Sequence, residues 1–140
     1  MMFQLLFSTL ILNYNILSKS MDTFDVDSIP FQTDYPGNWT FHYGEKYVTF
    51  YMNGCCNDVI TFRTGAAFEP TSLDDIYIIS LESWEALPIK LYLNKKNHKI
   101  EAFTLMGAQY SGIIRADDKS YMNYEMVLLD MIQSFRYRDL

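Results

Sequence analysis

The segment 120–135 has the strongest periodicity in the chain and most constrains its fold. Large apolar side chains recur along it at the spacing of one helix face. They are Tyr121, Tyr124, Leu128, Met131 and Phe135. Four further residues widen this face: Met126, Val127, Leu129 and Ile132. We therefore expect a helix pressed against a sheet with little of it in water, where each large side chain contributes about 1.5–3 kcal/mol by burial.

Length and charge limit the classes of protein that the chain can belong to. Its 140 residues suffice for one domain with one core. The net charge of −6 repels nucleic-acid backbones and anionic lipids. One basic cluster, formed by Lys90, Lys95, Lys96, His98 and Lys99, is interrupted by asparagines and is typical of a solvated turn between strands. The sequence therefore predicts no nucleic-acid partner.

The first twelve residues are mostly apolar and carry no charge. This run is too short to span a bilayer as a helix, and its length suits the core of a secretory signal. Ser18 and Ser20 lie where a cleavage site is expected, although the usual basic start is missing. The alternatives are a first helix packed on the domain, or a start codon placed too far downstream. We therefore expect an exported or membrane-surface protein. If the first residues are not a secretory signal, the expected location is the cytoplasm.

The interpretation of the chain is a signal peptide or hydrophobic segment at 1–20, a linker at 21–32 and one domain at 33–140. Aromatic and β-branched residues predict a meander of strands at 39–43, 47–52 and 59–64. A capping-box pattern at 72–75 and helical spacing up to Pro88 predict a helix, although 76–79 also suits a strand. A hairpin at 89–105 and an edge strand at 109–115 follow. This order predicts an α+β domain with an antiparallel sheet flanked by helices.

Few residues in the chain are candidates for chemistry. The adjacent Cys55 and Cys56 are free thiols, a strained vicinal disulfide, or a link between chains, and two Cys with two distant His cannot form a zinc site. Neither His42 nor His98 has a nucleophile nearby in the sequence, so no catalytic residue is predicted. The pairs Asp74–Asp75 and Asp117–Asp118 lack calcium-loop spacing and suit helix caps. No cofactor motif is present, and Asn38 begins a glycosylation sequon.

Two separated pieces of the chain resemble one family. The turn Tyr35-Pro36-Gly37-Asn38-Trp39 resembles the opening of PsbP-like domains, and Tyr121-Met122-Asn123-Tyr124 with Met131-Ile132-Gln133-Ser134-Phe135 is similar to their closing helix. The resemblance implies an α/β/α sandwich, export and a non-enzymatic accessory role. Best-known members dock on the lumenal side of photosystem II, but this chain lacks an obvious lysine-rich docking segment.

Two functions are therefore expected from the sequence. The first is an exported, non-catalytic PsbP-like module that contacts a protein partner or a membrane-associated complex through exposed aromatics. The alternative is a small-ligand or ion-binding domain with a pocket between sheet and helix, lined by Tyr43, Tyr51 and Tyr110. The first predicts an exposed apolar patch, whereas the second predicts a concave pocket with converging polar groups.

Overall fold

The computed structural model describes residues 21–52, 57–65 and 73–138. These residues form β1 (Met21–Phe24), β2 (Phe31–Pro36), β3 (Thr40–Tyr43), β4 (Tyr47–Tyr51), β5 (Val59–Thr64), β6 (Ile76–Glu82), β7 (Pro88–Asn94), β8 (Ile100–Leu105), β9 (Tyr110–Arg115), α1 (Asp118–Gln133) and β10 (Arg136–Tyr137). A 3₁₀ turn, Leu73–Asp75, precedes β6.

The described strands form two antiparallel sheets. The larger sheet has the order β3-β4-β5-β9-β8-β7-β6, and the smaller has the order β1-β2-β10. The predicted meander β3-β4-β5 and the hairpin β7-β8 are confirmed. Strand β9, predicted at an edge, instead lies between β5 and β8 and pairs along its length with β5. The chain thus builds the sheet from two meanders that meet at β9.

The predicted arrangement of helices flanking the sheet, an α/β/α sandwich, is wrong. The described part of the chain is mostly strand and contains a single helix, α1, which covers one face of the large sheet together with the small sheet. Aromatic contacts join the small sheet to the large sheet, such as Phe24 with Phe50 and Phe31 with Phe62. The fold is therefore β-rich.

Strand β6 occupies the stretch where the sequence favours a helix. Ser72 of the predicted capping box lies outside the described residues. From Ile76 to Glu82 the chain is extended and pairs residue by residue with β7. Isoleucines are stiff at the first side-chain torsion and fit a pleated surface. Pairing with β7 therefore outweighs the helical spacing of the apolar residues.

The segment 21–32, predicted to be a linker, contains β1 and the beginning of β2. Met21–Phe24 pairs with residues 33–36 of β2, and Phe24, Ile29 and Phe31 are buried. These apolar residues are separated by acidic ones, so the segment shows little periodicity in the sequence although it contributes to the core.

The core lies between the two sheets and α1. Side chains that alternate inward along the central strands are completely buried, among them Phe50, Ile60, Phe62, Phe103 and Leu105. Phe62 and Phe103 come from strands on either side of β9, and their ring centroids are 5.1 Å apart. The alternation of buried and exposed residues expected for half-buried strands is clearest in β4 and β7.

The closing helix α1 is confirmed, and it covers the core as predicted. Its N-cap is Asp117, whose carboxylate accepts a 2.8 Å hydrogen bond from the Ser120 amide and whose pKa is lowered chiefly by that bond. At the other end, the Thr33 hydroxyl of β2 donates to the Met131 carbonyl at 2.8 Å. The Ser134 hydroxyl accepts from the Asp34 amide at 2.8 Å. These bonds fasten the last turn of the helix to the small sheet.

Asp130 is expected to destabilise the protein at neutral pH. Burial raises the pKa of its carboxyl, so the folded state disfavours the charged form. The resulting penalty is absent below the unfolded pKa near 3.8 and grows as the pH rises through the folded pKa. We expect Asp130→Asn to raise the free energy of unfolding at pH 7 by less than about 1 kcal/mol, because water screens the half-exposed group. Urea denaturation at pH 7 and pH 3 measures this, and the gain should vanish at pH 3.

Candidate functional site

The predicted modification sites lie partly outside the described residues. Asn38 is exposed in the turn between β2 and β3. The next residue, Trp39, is buried and packs edge-on against Tyr124 of α1, with ring centroids 5.2 Å apart. The acceptor amide is therefore accessible while the turn itself is anchored. Cys55 and Cys56 fall outside the described residues, so whether they are free thiols, a vicinal disulfide or a link between chains stays a prediction.

The three tyrosines predicted to line one pocket are not brought together. Tyr43 lies on edge strand β3, on the core side, and is 43% exposed. Tyr51 follows the buried Phe50 in β4, so its side chain points to the opposite face of the sheet. Tyr110 is half-buried in β9 against Phe135, with ring centroids 5.0 Å apart. The opposite orientation of Tyr51 rules out one cavity lined by all three.

Tyr110 borders an open depression of about 330 Å³ with Pro30, Tyr137 and Arg138. Burial, and secondly the neighbouring Tyr137, raises the pKa of Tyr110, so its hydroxyl is neutral at physiological pH. Arg138 at the rim is engaged by two carboxylates, with Nη1 2.8 Å from Asp25. The charge at this depression is thus already paired within the chain, which argues against an anion site.

A more polar cleft of about 640 Å³ lies between the start of β8, the end of β9 and the start of α1. Lys99 pairs there with Asp118, and its ammonium lies 5.6 Å from the centre of the Tyr121 ring. The Tyr121 hydroxyl accepts a 2.8 Å hydrogen bond from the Ile100 amide, and burial raises its pKa. These groups satisfy one another, and their contacts across the cleft hold α1 against the sheet.

Within residues 21–52, 57–65 and 73–138, no three His, Cys, Asp or Glu side chains are grouped to hold a metal ion. His98 lies exposed in the β7–β8 turn, with Nδ1 3.0 Å from the Tyr77 hydroxyl. His42 is exposed on β3, beside the Tyr47 ring. Of the helices in the described part of the chain, none has the length and apolar character needed to cross a bilayer.

A cluster of exposed rings lies on strand β3, at one end of the large sheet. Phe41 is 38% exposed, and its ring centroid is 6.2 Å from that of Tyr43. Both rings rest on the buried Phe24, at 5.4 and 5.9 Å. The half-buried Tyr35 packs edge-on against Phe41 at 5.4 Å. We call Tyr35, Phe41 and Tyr43 the aromatic edge.

A second exposed apolar surface lies at the other end of the sheet, where α1 runs beside β6. Gln133 donates from its side chain to the Glu82 carbonyl, and its own carbonyl accepts from the Trp84 amide at 3.0 Å. Met126 and Met122 lie two and three helical turns before Gln133, on the same flank of α1. The large exposed side chains here are Ile79, Trp84, Met122 and Met126, which we call the β6–helix surface.

Sequence reasoning did not find this second surface. The prediction that little of the helix is left in water holds for Leu128 and Met131, but Met126 is 66% exposed. Trp84 lies in the stretch predicted to be a helix, yet it follows strand β6 and is 56% exposed. The apolar stripe of 120–135 is wider than the area that the sheet covers. Apolar residues beyond the width of one helix face are the feature of the sequence that could have indicated this exposed surface.

Comparison of the chain with protein-family models and with curated proteins found no match.

Proposed function

We propose that the protein is a non-catalytic binding module that contacts a protein partner, or a membrane-associated complex, through the aromatic edge. The observation that carries this proposal is the pair Phe41 and Tyr43, exposed side by side on an edge strand and supported from below by the buried Phe24. Rings held in this way bury large apolar area on contact and lose little rotamer entropy, because they are already packed. Export and kinship with PsbP-like domains belong to the same proposal.

The alternative of a small-ligand pocket receives less support. The tyrosines expected to line it point to different faces of the sheet, and the clefts described above hold charges that are largely paired within the chain. A binding pocket instead needs a few polar groups that converge on an enclosed apolar space. The exposed rings of the aromatic edge therefore favour contact with a large partner.

Site-specific photo-crosslinking in the native cell tests the proposal. With a photoreactive phenylalanine analogue at Tyr43, we expect one discrete adduct to a partner, and no adduct to that partner with the analogue at Met122. The double variant Phe41→Gln with Tyr43→Gln should weaken binding of the purified adduct partner by about tenfold or more. The matched variant Met122→Gln with Met126→Gln also removes two exposed apolar side chains and should bind normally.

A membrane-surface role is distinguished by flotation with phosphatidylcholine vesicles. Co-flotation of the wild type, lost in the aromatic-edge variant alone, would identify the lipid surface as the contact. Absence of both an adduct at Tyr43 and co-flotation would contradict the proposal.

A further inference from the structure

Strand β6 ends the large sheet opposite the aromatic edge, and its outer side carries backbone groups that no described residue pairs. Pro88 has no N–H, and its carbonyl accepts from Met106 on the β8 side. The pair Glu82–Pro88 is therefore not hydrogen-bonded, and in an antiparallel ladder the bonded pairs alternate. Tyr77, Ile79 and Leu81 thus bond to β7. The amides and carbonyls of Ile78 and Ser80 point away from the sheet.

The side chains of β6 do not protect this edge. Natural sheets block edge strands with lysine, proline, bulges or inward charges. Strand β6 has the sequence IYIISLE, with no lysine, no proline and a single charge at its last residue. Ile78 and Ile79 are 49% and 41% exposed, on opposite faces of the strand. Among the residues that the structure describes, Gln133 covers the end of this edge through its bond to Glu82. The open edge is apolar and regular.

We propose that β6 pairs antiparallel with β6 of a second copy of this chain, about a twofold axis at Ile79. In this register Ile78, whose amide and carbonyl point away from the sheet, lies opposite Ser80, so the free backbone groups of the two copies meet. At the strand ends Ile76 lies opposite Glu82. Tyr77 lies opposite Leu81 on the core-side face. No residue of β6 faces a like charge, which makes the strand complementary to itself and favours a second copy over an unrelated strand.

The side chains near the twofold axis also suit contact with a second copy of the chain. Ile79 shares the core-side face with its neighbours Leu91 and Phe103 across β7 and β8. In the pair, the two Ile79 side chains meet at the axis, and the methionines of both α1 helices lie along its two sides. Both copies thereby cover their β6–helix surfaces. Each copy carries a net charge of −6, so pairing should strengthen as salt screens the repulsion between the two copies.

Cysteine cross-linking tests the register. In a background with Cys55→Ser and Cys56→Ser, we expect Ile79→Cys to form a covalent dimer on mild oxidation, because residues directly opposite in a non-bonded pair lie within disulfide range. Ile78→Cys is the matched control. It is similarly exposed, but its symmetry mate lies opposite Ser80, beyond that range. Equal cross-linking of the two variants, or none with Ile79→Cys, would overturn the proposal.

Light scattering after size exclusion tests the pairing without cross-links. The wild type should elute with twice the chain mass at high concentration, and more completely at high salt. Ser80→Pro removes an outward amide and should be monomeric, whereas Ser80→Thr keeps it and should dimerise. Circular dichroism checks that both variants are folded. A wild type that stays monomeric at every concentration would refute the inference. Both Ser80 variants keep the aromatic edge, so the photo-crosslinking assay at Tyr43 tests the proposed function separately from pairing through β6.

Discussion

Replacing Gly112 with alanine is expected to destabilise the protein by about 3 kcal/mol or more. Gly112 lies in β9 directly opposite Phe62 of β5 and Phe103 of β8. The two rings meet over it, with centroids 5.1 Å apart. A Cβ atom at this position would overlap the Phe103 ring and the Thr61 carbonyl oxygen. The ring must rotate out of a close-packed core or the strands must separate, and both cost packing energy.

Urea denaturation of Gly112→Ala and Gly107→Ala measures this clash against a matched control. Gly107 has a φ of +62° but open space around its Cβ position, so its substitution costs backbone strain of about 1–2 kcal/mol and no clash. Adding Phe103→Leu should restore part of the stability of Gly112→Ala, because it removes one of the two overlaps. A loss at Gly112 no larger than that at Gly107 would contradict the close approach of the rings.

Strands β3, β4 and β5 could be predicted because local signals agree with the fold. Aromatic and β-branched residues alternate along them, and short turns fix their neighbours. Trp39, where the first predicted strand begins, is buried and packs on Tyr124. The closing helix was equally predictable, since its apolar stripe is long and regular. In each case the pattern within one segment was enough to determine its structure.

The rest depends on partners that are distant in sequence. Residues 76–82 match a helix or a strand, and only the availability of β7 decides between them. The position of β9 in the middle of the sheet follows from its pairing with β5, about fifty residues earlier. The same limit applies to the candidate surfaces. Phe41 and Tyr43 carry the residue types of a core strand, and they are exposed because the sheet ends at β3.

Leu128→Ala is expected to lower the free energy of unfolding by about 3–4 kcal/mol. Leu128 lies in the middle of α1 and is completely buried. Truncation removes apolar burial and leaves a cavity between the helix and the large sheet, which the surrounding strands cannot fill. Because α1 is the described helix that covers this face, the loss should be a large fraction of the roughly 5–15 kcal/mol that stabilises an ordinary domain.

Met126→Ala is the matched control for Leu128→Ala. It removes a side chain of similar size two residues earlier on the same helix, but Met126 is 66% exposed. The stability of Met126→Ala should change by less than about 0.5 kcal/mol, because little area is buried and alanine favours a helix slightly more than methionine. Urea denaturation at low protein concentration keeps any pairing through β6 from contributing. Similar losses in the two variants would mean that α1 does not cover the core through the face that carries Leu128.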